Sequence, residues 1–259
     1  MDQEKRLISW DPELPEEQAR WGPLVLLLLG ALAAFTPLSY FFQWFVSIPF
    51  HELGHALCAW LDSRKATPLG ALIPVFAWTS FEEPSLWVGL LIFFLLAQGL
   101  LRSYWSHSFF LVVTFCLLLF LWALLSFFVG HERSQMWIVW AGQGGEFILS
   151  TWVLLGFYFY FPKKWHWPFF RWVLGFAGSF GLLFSCRKWF GVALFGEPLP
   201  LGTVWGGSED SGGDLNQLIG HYLWTPRQIG FSYTRLAFAC FAVLICAHVA
   251  VLLKNRSED

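Results

Sequence analysis

The chain has 259 residues, 56% of them hydrophobic and 20% aromatic, against 13% charged, which is more apolar surface than one soluble core can hide. A formal charge of −2, from 16 Lys and Arg against 18 Asp and Glu, excludes the basic field that nucleic-acid binding requires. Lipid is therefore the expected surroundings of this surface.

Residues 1–20 mix acids (Asp2, Glu4, Asp11, Glu13, Glu16, Glu17) with Lys5, Arg6 and Arg20. That mixture is a poor start for a secretory signal, so the apolar run that follows reads as an uncleaved first span. Apolar stretches near 22–46, 85–101, 107–129, 136–161, 169–195 and 230–253 each suffice to cross about 30 Å of hydrocarbon. The expectation is an all-α polytopic integral membrane bundle of about six spans, six to seven, in one membrane-embedded domain over 21–254. A polar amino-terminal segment (1–20) and a polar tail (255–259) flank it.

Residues 22–62 are nearly continuous, and a straight helix of that length would extend about 60 Å. The segment must bend, break or hold two spans, with Thr36-Pro37 and Pro49 as break points. Residues 66–84, interrupted by Pro68, Gly70, Pro74 and Pro84, read as a re-entrant or interfacial segment. Counting spans puts the region near Asp62, the short connection 130–135 and the long connection 196–229 on one face of the membrane. Lys and Arg near span ends divide too evenly to fix an orientation.

His51-Glu52-Leu53-Gly54-His55 carries the chemistry. Residues four apart share a helix face, so both imidazoles can grip one zinc ion, while Glu52 can take a proton from water as general base. Two histidines and an acid within five residues, between apolar flanks, are costly in lipid unless they have partners. A zinc site of this kind needs a third ligand, and two acids compete on equal terms. Glu146, in AGQGGEF, lies about 15 Å into its span, matching the depth of the histidines, and its glycines would admit a close helix. Asp214, in SGGDLNQL, lies in the long connection on the correct face; with Gln217 three residues on, it also reads as a helix cap. Asn216, His131 and His221 share that face as candidates to orient a ligand or hold substrate. His107, His166 and His248 read as structural. The five scattered cysteines form no CxxC pair, which argues against disulfides or a thiolate site. Ser179, in GSFG, has no identifiable partner for serine-type chemistry.

The run PFHELGHAL at 49–57 closing an apolar helix resembles the site-2 protease family of intramembrane zinc metalloproteases, especially compact bacterial members without a PDZ domain. The resemblance implies zinc held by His51, His55 and an aspartate from a later membrane segment, most readily Asp214, with Glu52 activating water. The family's NPxPxLDG context is replaced here by Gly213-Asp214-Leu215-Asn216 and, further on, Thr225-Pro226. It also implies hydrolysis of a membrane protein or peptide substrate in or beside the bilayer, in a multi-pass protein of a bacterial inner membrane. Two rivals stand beside this expectation: a membrane zinc hydrolase of another type with Glu146 as ligand, and a non-catalytic binding or regulatory protein that keeps the fold.

Overall fold

The computed structural model describes residues 14–69, 78–159, 168–202 and 210–258; side chains at 168 and 254–258 are left aside. Gly70, Pro74, His166, Glu209 and most of the polar amino-terminal segment lie outside the described residues. Among the described residues eight helices follow in order: α1 (Glu16–Ala34), α2 (Ser39–Leu61), α3 (Leu86–Trp105), α4 (Phe109–Phe127), α5 (His131–Leu155), α6 (Pro168–Phe195), α7 (Asp214–Gly220) and α8 (Pro226–Glu258). Five of them are long and apolar enough to cross a membrane, six spans if the bent pair α1–α2 counts as one. The fold is thus an all-α bundle. Its lipid-type surface is plain on α3 and α4, whose most apolar windows are only 11% buried, whereas α5, at 56%, is the central helix.

The break expected at Thr36-Pro37 is present: α1 and α2 meet at 100°. Thr36 precedes Pro37, which disfavours helical geometry at Thr36, and the helix yields there. The turn is held from outside, because Arg187 of α6 donates to the Ala34 carbonyl at 2.6 Å and places its guanidinium 5.8 Å from the Phe35 ring. Pro49 makes no break. It sits in the first turn of the α-helical part of α2, directly after a π-helical stretch at Gln43–Ser47, where a missing N–H costs little.

The 66–84 region contributes two strands. Its described parts form an antiparallel hairpin, β1 (Arg64–Pro68) with β2 (Thr79–Pro84), in register Ala66 to Phe81 and Pro68 to Thr79.

The end of α2, the end of α4 and the start of α5 come together. Ser63 and Ser126 share a hydrogen bond of 2.7 Å, and Ser126 also donates to the Leu61 carbonyl, tying the end of α2 to the end of α4. Arg64, 1% exposed, donates to Asp62 at 2.6 Å and reaches His131 at 3.1 Å, tying both to the start of α5. A buried guanidinium with these partners clasps the hairpin to the bundle.

Small residues set the close packing. A Cβ at Gly54 would lie 2.8 Å from Gly145 Cα and nearer still to the Ala141 carbonyl oxygen, so α2 and α5 touch backbone to backbone. Gly30 of α1 meets Ser179 of α6 equally closely; Ser179 is fully buried in that contact, which leaves no room for serine-type chemistry.

Candidate metal centre

His51 and His55 lie on α2 where it crosses α5. The glycines of α5 make their space: a Cβ at Gly142 would sit 2.8 Å from His51 Cε1 and closer to His55. From the carboxyl side, α7 delivers the acid. Leu215 and Leu218 are buried among Trp189, Ile229 and Tyr233, and this anchorage fixes the start of α7 over the imidazoles. Asp214 is the first residue of α7, with Gly213 at the cap position and no side-chain cap hydrogen bond, so the helix-cap expectation is corrected. Its carboxylate turns instead toward the histidines.

Asp214 Oδ2 lies 2.9 Å from His51 Nε2 and 3.1 Å from His55 Nε2, and the two Nε2 atoms are 3.2 Å apart. His55 Nδ1 donates to the Ile138 carbonyl at 2.7 Å. A carbonyl only accepts, so the neutral ring carries its proton on Nδ1 and presents a bare lone pair at Nε2. Burial alone would raise the Asp214 carboxyl, but attraction to the protonated form of His55 and hydrogen bonds to His51 and His55 outweigh it and hold it below the ordinary carboxylate range. An ionised oxygen and an imidazole lone pair facing each other at this distance repel unless a cation or a shared proton lies between them. A tetrahedral zinc with bonds of about 2.0–2.1 Å separates its donors by roughly 3.3 Å. The triangle at His51, His55 and Asp214 can hold such an ion with slight expansion.

A cavity of about 690 Å³ opens over this group and is lined by Glu52, Thr79, Gln143 and Lys188 besides the three donors. Glu52, 3% exposed, accepts from the Thr79 hydroxyl of β2 at 2.5 Å. Glu146 does not enter the triangle. Its Oε1 lies 3.3 Å from His51 Nδ1, the far ring nitrogen, while Oε2 accepts from Ser185 at 2.5 Å and Lys188 Nζ stands 3.5 Å away.

The other expected residues lie elsewhere. Asn216 Oδ1 accepts from the Gly202 main-chain N–H at 2.7 Å, pinning the connection beside α7. His131 joins the Arg64 clasp at the start of α5 and His221 packs edge-on against Tyr222 at the end of α7; neither lines the cavity. His248 bonds Tyr158 at 2.9 Å and His107 occupies the α3–α4 turn. Thr79, Gln143, Ser185 and Lys188 were not singled out from sequence. Lys188 carried a signal: an ammonium eight positions inside α6 requires a partner. Thr79 carried none.

Comparison of the chain with family models, with curated proteins and with solved structures returned no match.

Proposed function

We propose that this chain is a membrane-embedded zinc-dependent peptidase of the site-2 protease type. The observation that carries the reading is the convergence of three metal-competent atoms, from α2 and the start of α7, beneath a cavity that also contains Glu52. Zinc bound there supplies a Lewis acid that polarises a peptide carbonyl and lowers the pKa of water from 15.7 toward about 7.

The residues do the remaining work. Thr79 holds Glu52 Oε2, leaving Oε1 to take a proton from the attacking water and return it to the leaving amine nitrogen. Burial of Glu52 keeps bulk solvent from competing for that proton. The substrate is a membrane-resident polypeptide that must be extended at the scissile bond, since a helical amide is shielded by its own hydrogen bonds. Strand β2 suits an extended chain: Thr79 and Phe81 line the cavity, and among the described residues β2 pairs with β1 alone. Its other edge offers main-chain donors and acceptors.

The test is cleavage of a library of labelled transmembrane peptides in proteoliposomes by the zinc-loaded chain and by Glu52→Gln. The reading expects cleavage by the first and at least a hundredfold less by the second, with zinc content unchanged. Equal cleavage by both would remove Glu52 from the chemistry. No cleavage by either, with zinc retained, would turn the reading to a metal-containing binding protein.

A further inference from the structure

His51 Nδ1 has two neighbours with opposite requirements. Glu146 Oε1, at 3.3 Å, can only accept a hydrogen bond; Gln143 Nε2, at 3.2 Å, can only donate one. The orientation of the Gln143 amide is not free. Lys188 Nζ, which has donors and no acceptor, bonds Gln143 Oε1, and this turns the amide NH2 toward His51. Glu146 is equally constrained, by Ser185 on one oxygen and Lys188 beside the other.

The neutral imidazole can satisfy one neighbour at a time. With the proton on Nδ1, donated to Glu146, Nε2 offers its lone pair to the triangle. With the proton on Nε2, Nδ1 accepts from Gln143, and the Nε2–H donates to Asp214 Oδ2 at 2.9 Å. The first form holds a metal. The second closes the triangle by a hydrogen bond and leaves no donor atom at His51 for an ion.

We propose that Gln143 and Glu146 are opposed positioning residues: they compete for His51 Nδ1, and the tautomer they select sets how tightly the site holds its metal. The exchange moves one proton between two nitrogens of the same ring and changes no net charge. Glu146 favours the metal-holding form and Gln143 the metal-free form, with Lys188 keeping each in place. This rests on the zinc reading, and it explains why a lysine and a glutamate are kept together inside the spans, which a bare three-donor site does not require.

Zinc affinity of the purified full chain in detergent, by competition with a chromophoric chelator, tests it. Gln143→Met should tighten binding about 2- to 12-fold, the worth of one neutral hydrogen bond lost from the competing form. Glu146→Ala should weaken binding about 10- to 100-fold, as loss of a ligand-orienting partner does. Glu146→Gln, which keeps an accepting oxygen, should fall between Glu146→Ala and the wild type, and it decides the matter if Glu146→Ala does not fold. Nitrogen-15 spectra of histidine should show His51 protonated at Nε2 without zinc and at Nδ1 with it. Effects of the same sign from Gln143→Met and Glu146→Gln, or none from either while the wild type binds one zinc per chain, would overturn the competition and spare the zinc reading. A folded wild type that binds no zinc would overturn both.

Discussion

Replacing Gly142 by Ala sets two physical effects against each other. Gly142 lies inside α5, where alanine is the better helix former by about 1 kcal/mol, so local propensity favours the variant. The new Cβ, however, would stand 2.8 Å from His51 Cε1 and nearer to the His55 ring, where ordinary carbon contacts are about 3.5–4.0 Å. The imidazoles must retreat by roughly 1 Å, either by turning on their own side-chain bonds or by carrying α2 away from the α5 backbone that it touches at Gly54. Overpacking of this kind costs about 1–3 kcal/mol. Relieved through the rings, it lowers zinc affinity by about 5- to 150-fold. The assay is chelator competition, with the unfolding midpoint of the metal-free chain measured alongside. Gly220→Ala is the control, since among the described residues nothing beyond its chain neighbours and its own helix backbone lies within 4 Å of its Cβ position. Wild-type zinc affinity in a folded Gly142→Ala chain would refute the placement of both rings against α5.

Two further outcomes follow from the same geometry. Leu218→Ala, which hollows the anchorage of α7, should cost about 2–5 kcal/mol of stability and weaken zinc binding without touching a donor atom; unchanged zinc affinity would mean that α7 does not depend on this anchor to present Asp214. Acidification should release zinc, because the ligand forms are the neutral imidazole and the ionised carboxylate. The folded Asp214 carboxyl is depressed, so its contribution is present above its unfolded value of 3.8 and is lost only as pH falls through the lower folded value. Release should therefore begin at pH values above the Asp214 titration. A release curve confined below pH ~4 would instead assign it to the acid.

The sequence reveals the spans because hydropathy is a sum over some twenty residues, and it reveals the α2–α5 contact because glycines at Gly142, Gly144 and Gly145 interrupt an apolar helix beside a buried acid. The bend at Thr36-Pro37 has local causes, so it too is legible. Pro49 misleads, since the π-helical turn before it has no sequence signature of its own. The hairpin is hidden because TSFEEP lacks the alternation of a half-buried strand; five of its six residues are exposed, and Arg64 holds it from below. On residue type alone Glu146 and Asp214 were equivalent. What separates them is the docking of α7 through Leu215 and Leu218, a contact with helices close in space and distant along the chain. Thr79 meets Glu52 across 27 positions and Lys188 meets Gln143 across 45, and no local pattern encodes either pairing.

The zinc K-edge absorption spectrum of the purified, zinc-loaded chain tests the central claim most directly. Two imidazole nitrogens and oxygen donors at about 2.0–2.1 Å, with one imidazole lost in His55→Ala, are the expected result. Sulfur at about 2.3 Å, or a spectrum that His55→Ala leaves unchanged, would place the metal elsewhere and contradict the account.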